Sequence, residues 1–317
     1  MDKVSIIVPC YNEEETVPVF FETVEEILKN APFDYEYVFI NDGSEDKTLQ
    51  KLRELYILAP DKVRFASFSR NFGKEAGLLA GLTEAVGDYS VVMDVDLQDP
   101  PEMLLEMYDI LQKEPEIDVV GTRRVTRDGE PAIRSLFAKL FYKIINKISD
   151  AQIIDGARDY RMMRKAMVDS ILSLTERNRF SKGIFSWVGY NTKYLEYKNI
   201  ERVAGNTSWS FWSLLRYSID GIVSFSEAPL NISIYFGLFS VLIAFIGAVF
   251  IVVRTLLFGN AVQGWSSMVC IFLALGGAQL LCLGIIGKYI GKIYTEVKRR
   301  PSYLIKETEK TYEGKPK

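Results

Sequence analysis

From Asn231 up to Arg254, and again from Thr255 to Gly287, the chain carries no charged side chain. Each run exceeds the ~20 apolar residues needed to cross a bilayer core. Buried helices of a soluble core are the alternative, but two such runs side by side argue against it. Gly259-Asn260 and Gln263-Gly264 interrupt the second run, so the pattern predicts a short turn and a second span from about Trp265 to Ile286. Lys288, Lys292, Lys298, Arg299, Arg300 and Lys306 follow that span, while the turn has only Arg254 at its edge. Lysine and arginine accumulate on the cytoplasmic side, which predicts a multi-pass protein of the cell membrane with both termini cytoplasmic. The strand-like Val4–Pro9 segment comes first, with no signal-peptide pattern before it.

The remaining composition narrows the chemistry. Cys10, Cys270 and Cys282 have no metal-type spacing and fit a reduced compartment. The chain has no histidine, which removes imidazole bases and imidazole metal ligands. A net charge of −3 argues against a nucleic-acid partner. Basic residues do cluster locally. Between Glu130 and Asp150 every charge is positive, and apolar residues from Ile133 to Ile148 recur at spacings of three and four. That is a helix near 133–148 with one apolar and one basic face, expected to lie in a membrane interface. A helix packed on the domain with a solvated basic face is the other reading. The aromatic-rich stretch 209–225 leads into the first span as interfacial anchors do.

Before the spans, strand-like runs at 4–9, 35–40, 63–68, 89–94 and 118–121 alternate with helical patterns near 14–29, 45–58, 74–86 and 101–113. This alternation predicts an α/β domain with a mostly parallel sheet covered by helices on both faces. Such sheets bind ligands beyond the carboxyl ends of their strands. Polar clusters fall there: Pro9-Cys10-Tyr11-Asn12-Glu13, Asn41-Asp42-Gly43-Ser44, Ser69-Arg70-Asn71-Phe72-Gly73-Lys74, and Asp94-Val95-Asp96. The last is the most informative. Two acids one residue apart at a strand end can converge on a hard cation that bridges phosphate oxygens. An acidic turn before a helix starting at Asp99-Pro100-Pro101 is the bland alternative. Glycine-rich dinucleotide and P-loop patterns are absent from the sequence.

Taken in order, these clusters resemble the inverting glycosyltransferases of family 2, and within them the polyprenyl-phosphate glycosyltransferases related to dolichol-phosphate mannose synthase. The match looks closest to the bactoprenol (undecaprenyl-phosphate) glucosyltransferases, which carry two C-terminal spans. The segments that carry it are Val8-Pro9-x-Tyr11-Asn12-Glu13, Asn41-Asp42-Gly43-Ser44-x-Asp46, the run from Ser69 to Lys74, and Met93-Asp94-x-Asp96-Leu97-Gln98-Asp99-Pro100-Pro101. No Gln-x-x-Arg-Trp element of processive synthases is present. The resemblance implies a nucleotide-sugar-binding fold of the GT-A type over 1–208, then an interfacial helix and linker at 209–230, two transmembrane helices within 231–287, and a cytosolic basic tail at 288–317.

The resemblance also implies residue roles. Pro9, Tyr11, Glu13 and Asp42 hold the nucleoside, with Lys74, Asp94 and Arg202 completing the donor nucleotide site. Glu13, like Glu14, can also be a first-turn acid that suits a helix dipole. Asp94 and Asp96, with Gln98 nearby, form a site for Mg²⁺ or Mn²⁺, a metal suited to carboxylates plus diphosphate oxygens. Asp159 matches the family's catalytic base and is grouped with Asp96 as catalytic. Its segment, from Asp155 to Arg161, departs from the family's Gly-Asp-Phe-Arg element at Arg158, which leaves the conformation of that loop open. Arg123 and Arg134 match arginines that contact the acceptor phosphate, and Arg can grip phosphate bidentately; a solvated surface arginine is the alternative for each. Arg202 lies in a loop resembling one that closes over the diphosphate.

The implied activity is inverting transfer of glucose from UDP-glucose to undecaprenyl phosphate at the cytoplasmic membrane face. UDP-N-acetylglucosamine, UDP-galactose and GDP-mannose remain open as donors, and diacylglycerol as an acceptor. A non-catalytic nucleotide-sugar-binding scaffold is the reading from another class. Small residues at Gly276, Gly277, Gly284, Gly287 and Gly291 permit close helix contact, so a homo-oligomer is expected, with a tetramer implied by resemblance as one form. Because the motifs precede the hairpin, a chain cut after Ser226 is expected to keep a folded donor site.

Overall fold

The computed structural model describes residues 1–125, 143, 145–148, 154, 156–197, 219, 221–258 and 264–312. Eight strands form one sheet among them. In chain order they are β1 (Lys3–Cys10), β2 (Asp34–Asn41), β3 (Val63–Phe68), β4 (Tyr89–Val92), β5 (Val119–Arg124), β6 (Ala157–Arg164), β7 (Thr192–Tyr197) and β8 (Ile305–Thr308). Their spatial order is β7-β5-β6-β4-β1-β2-β3-β8. β1 runs parallel to β2 and β4, β2 to β3, and β5 to β7. β6 lies antiparallel between β4 and β5, and β8 is antiparallel to β3.

The helices that lie wholly within the described residues are α1 (Thr16–Leu28), α2 (Thr48–Leu58), α3 (Lys74–Glu84), α4 (Met103–Lys113), α5 (Lys165–Ser173), α6 (Ser181–Trp187), α7 (Ala228–Phe258) and α8 (Trp265–Lys298). Alternating residues of β1 explain the two-sided packing. Val4, Ile6 and Val8 join Phe20 and Val24 of α1 and Leu104 and Met107 of α4 in one core cluster. Ile7 faces the other way, toward Leu78 and Leu82 of α3 and Met167 and Ile171 of α5. A strand buried on both faces reads as a continuous apolar run, as the sequence shows. α3 lies very close to the sheet. A Cβ added at Gly81 would stand 2.1 Å from Ile7 Cγ2, so only glycine lets this helix seat at that depth.

The five strands and four helices expected before residue 125 are all present, with ends moved by a few residues. The segment 157–164, to which the sequence reading gives no strand, is a strand inside the sheet. The reason is visible in its side chains: Arg158, Asp159, Arg161 and Arg164 break any apolar alternation.

α7 and α8 are long and apolar enough to cross a bilayer, and none of their most apolar windows is buried within the protein. At 1.5 Å per residue they are roughly 46 Å and 51 Å long, more than a hydrocarbon core requires. α8 therefore continues past the expected end of its span at Ile286, through Lys288, Lys292 and Glu296, back to the sheet domain. There the tail corrects the sequence reading. Residues 303–312 are an integral part of the sheet edge and not a free basic tail. Ser69 N–H donates to Leu304 O at 2.9 Å, and Arg53 pairs with both oxygens of Glu307 at 2.8 and 2.6 Å. The Tyr303 ring stacks on Phe68 at 4.9 Å. The sheet is thus not complete before the hairpin, contrary to the premise of a cut after Ser226. If both helices cross, the chain also returns to the side from which it left.

The helix expected at 133–148 and the aromatic stretch 209–225 fall largely outside the described residues; 143, 145–148, 219 and 221–225 are helical.

Candidate active site

Four loops meet at the carboxyl ends of β1, β2, β3 and β4. The first two are stitched together by side chains. Asn12, in the left-handed region at φ 55°, donates its N–H to Ser44 Oγ and accepts from Glu45 N–H, both at 2.9 Å. Glu13 N–H donates to Thr48 Oγ1 at 2.8 Å, and Glu14 N–H to Asp46 at 3.1 Å. Tyr11 projects outward, 44 % exposed, free to stack on a flat ring.

Asp42 organises the next loop. Its two carboxylate oxygens accept the N–H groups of Phe72 and Gly73 at 2.6 and 2.8 Å, and burial pushes its pKa up. Gly43, at φ +64°, passes so close to Arg70 that a Cβ would lie 2.2 Å from its carbonyl carbon. The sequence assigned Asp42 to the nucleoside. Here both of its oxygens are already engaged in holding the Ser69–Lys74 loop.

That loop ends at Lys74, the first residue of α3. Its Nζ lies 2.8 Å from Asp94 Oδ1 and 2.8 Å from Asp159 Oδ2, so one ammonium joins the end of β4 to β6. Loss of water opposes its charge, but Asp159 and Asp94 outweigh this and raise its pKa. Burial alone would likewise raise the Asp159 pKa; Lys74, Lys182 and Arg161 override it and hold the carboxyl well below the usual range. Asp159 Oδ1 is buried and has no hydrogen-bond partner among the described residues.

Asp94 and Asp96 are half-buried and flank Val95, whose side chain enters the core. The two acids thus share the cleft side of the chain. Asp96 accepts from Gln98 N–H at 3.2 Å. These are hard oxygen donors, and no group of three or more acids or thiols that could cage a metal occurs among the described residues. Two carboxylates fit Mg²⁺ or Mn²⁺ that takes its other ligands from diphosphate oxygens and water. The cleft already draws a cation, Lys74, onto Asp94.

Asp99 is separate from this pair. Only 1 % exposed, it accepts hydrogen bonds from Tyr197 Oη and from Arg158 Nε, the latter at 3.2 Å. The departure at Arg158 therefore has its own buried partner and sits within a regular strand. Arg161, 3 % exposed, lies over the Phe185 ring at 4.0 Å and donates to Arg158 O at 2.8 Å.

Of the residues singled out from sequence, Lys74, Asp94 and Asp159 are in direct contact, and Pro9, Tyr11, Glu13, Asp42, Asp96 and Gln98 line the same end of the sheet. Arg123 stands at the end of β5, 3.7 Å from Glu196 and 43 % exposed. Arg134 and Arg202 lie outside the described residues. Sequence reasoning missed Lys182, Arg161 and Asp99. The basic run at Arg177, Arg179 and Lys182 was the only signal for the first, and nothing in it marks which residue faces the cleft.

Residues 5–172 match the family described as Glycosyl transferase family 2. The chain is 44 % identical to the bactoprenol glucosyl transferase of Shigella phage SfII, over 99 % of this chain and 100 % of that one. It is 44 % identical to the bactoprenol glucosyl transferase of Shigella phage SfV, over 96 % and 98 %. A prophage bactoprenol glucosyl transferase homolog of Escherichia coli (strain K12) is 42 % identical over 97 % and 100 %.

Proposed function

The chain belongs to glycosyl transferase family 2, and from that premise we propose that it transfers glucose from UDP-glucose to undecaprenyl phosphate with inversion at the anomeric carbon. An acceptor phosphate oxygen attacks C1 of the sugar, the bond from C1 to the diphosphate oxygen breaks, and UDP leaves with that electron pair. The names of near-full-length relatives support the sugar and the lipid. The exposed apolar helices α7 and α8 point to membrane association, where such an acceptor is confined.

The observation that carries the reading is the Lys74 bridge, which brings Asp94 and Asp159 to one point at the carboxyl ends of the strands. Asp94 and Asp96 would hold Mg²⁺ or Mn²⁺, which when bound supplies positive charge opposite the leaving diphosphate. Lys74 adds a second positive charge beside it. Asp159, kept ionised by its cationic neighbours, is a poor proton acceptor, and the reaction does not require one. A phosphomonoester with a second pKa near 6 is already largely dianionic at neutral pH. Asp159 therefore orients Lys74 and offers its unsatisfied oxygen to a bound hydroxyl. Tyr11, Glu13 and Pro9 would receive the nucleoside, Arg123 the acceptor phosphate on the β5 side, with Arg134 and Arg202 adding to acceptor and donor sites.

The test uses purified full-length protein in detergent with labelled UDP-glucose, UDP-N-acetylglucosamine, UDP-galactose and GDP-mannose, each against undecaprenyl phosphate and against diacylglycerol. Label is expected in lipid only for UDP-glucose with undecaprenyl phosphate, and only with Mg²⁺ or Mn²⁺ present. Label from another donor, or on diacylglycerol alone, overturns that part of the reading; no lipid label at all overturns the activity.

A further inference from the structure

We infer that Glu296, near the end of α8, is a positioning residue for the active site, acting through the segment 177–182 on the N-terminus of α3. Between α5 and α6 the chain has no regular structure from Leu174 to Phe180, so its backbone groups need outside partners. Glu296 provides them. Its Oε1 accepts the N–H of Arg177 at 2.9 Å, the N–H of Asn178 at 3.0 Å and the Nδ2–H of Asn178 at 3.0 Å. One carboxylate oxygen from the membrane-proximal end of α8 thereby fixes two consecutive residues of the catalytic domain.

The other end of the segment is fixed to the active site. Ser181 donates both its N–H, at 2.9 Å, and its hydroxyl to Glu75 Oε2. Glu75 directly follows Lys74, whose ammonium bridges Asp94 and Asp159. Lys182, next after Ser181, adds to the positive charge that holds Asp159 ionised. Between the two anchors Phe180 is buried and packs against Phe225, at 6.0 Å between ring centres. Arg177 to Lys182 thus form a short strut with a carboxylate at each end, one on a candidate membrane helix and one beside the reacting groups.

This inference rests on the proposed transfer to a membrane-borne acceptor, and it explains a need of that reaction. The donor comes from water and the acceptor is held in the bilayer, so the catalytic groups must stand at a fixed height over the membrane. Glu296 lies about 15 Å along the helix beyond Ile286, the expected end of the span. Loss of its contacts leaves the Asn12–Ser44 and Asp42 contacts of the donor loops in place and lets Lys74 and Lys182 shift relative to the diphosphate and the acceptor. Small displacements of this kind can cost up to about a hundredfold in rate.

The test compares E296A, E296Q, S181A and the E296A/S181A double variant as full-length proteins, with UDP-glucose and undecaprenyl phosphate. Glutamine keeps the accepting oxygen, so E296Q should stay within about twofold of wild type, while E296A loses roughly tenfold in kcat, more than it loses in UDP affinity. The double variant should be no slower than the slower single one, as expected for residues acting through one path. Multiplying losses, an E296Q as slow as E296A, or a normal kcat for E296A each overturn the inference. Hydrogen exchange, which needs no substrate, separates this from the activity itself. E296A should lose protection at Arg177–Lys182 and at the first turn of α3. Unchanged exchange overturns the strut even if wild type glucosylates the lipid, and lost protection in a protein inert toward that lipid overturns only the activity.

Discussion

Arg158 reaches Asp99 across the sheet, Nε to Oδ1 at 3.2 Å, and pairs a carboxylate that is 1 % exposed with a guanidinium that is 26 % exposed. Tyr197 donates to the same Asp99 oxygen, so three separate chain segments converge on one buried acid. Removing one partner of such a pair strands the other. Arg158→Ala and Asp99→Ala should each lower stability by about 3 kcal/mol, and the double variant should lose less than the sum. Thermal unfolding of the four proteins measures this; additive losses would remove the pair from the account.

Asp94→Ala or Asp96→Ala should abolish turnover and with it the response to Mg²⁺ or Mn²⁺. Each removes one of the two hard donors in the cleft. Activity near wild type in either variant with a chelator present would sink the metal site. Arg202 and Arg134, outside the described residues, can be scanned alongside.

The pH response follows from the sign of the Asp159 shift. Its folded pKa lies below the ordinary value, so the stability gained from its ion pairs is fully present above the unfolded pKa of about 3.9. That gain is lost only as pH falls through the lower folded pKa. Between pH 5 and 8 Asp159 stays ionised. The acid limb of kcat/KM for lipid phosphate should therefore fall near pH 6, with the acceptor's second ionisation. Asp159→Asn should lower the whole profile without moving that limb. A limb that shifts in the variant would make Asp159 a titrating base after all.

Arg123→Ala should raise the KM for undecaprenyl phosphate by roughly tenfold to a hundredfold, the value of one charge-assisted contact of about 1.5–3 kcal/mol. Its partner Glu196 is 58 % exposed and stands at 3.7 Å, so loss of that ion pair itself costs little stability. Steady-state kinetics in both substrates decide it: equal losses for donor and acceptor would indicate a general defect.

Deleting residues 303–317 while keeping the hairpin should lower the unfolding temperature and weaken UDP binding. The deletion removes β8, the Arg53–Glu307 pair, and the Leu304 carbonyl that receives Ser69 N–H beside the donor loop. Calorimetry and UDP titration give the result, and a truncated chain as stable as the full one would make β8 an ornament of the edge.

Apolar runs such as Ile6–Val8 and Val91–Met93 read clearly because burial on both faces leaves no polar residues within them. The loops at their ends read as well, since Gly43, Asn12 and Asp94 mark turns and acids at predictable places. β6 did not, because Arg158, Asp159 and Arg161 satisfy their charges by contacts from α3, α6 and Asp99, all distant in sequence. β8 was hidden for a similar reason. Its charged Lys306 and Glu307 resemble a solvated tail, and its partner Arg53 lies beyond the whole hairpin. The strut at Arg177–Lys182 has no periodicity, and its meaning lies entirely in Glu296 and Glu75.

The order in which the sheet is assembled has a consequence for how the protein is made. Among the described residues every strand but one leaves the ribosome before α7, and β8 follows α8. Until then β3 presents an unpaired edge, the kind of surface that recruits foreign strands. If α7 and α8 cross a bilayer, the sheet is completed only once the hairpin has brought the chain back to the starting side. On that condition, a chain in which the hairpin fails to insert is expected to keep an open edge at β3, an unbraced donor loop and a long apolar tail together.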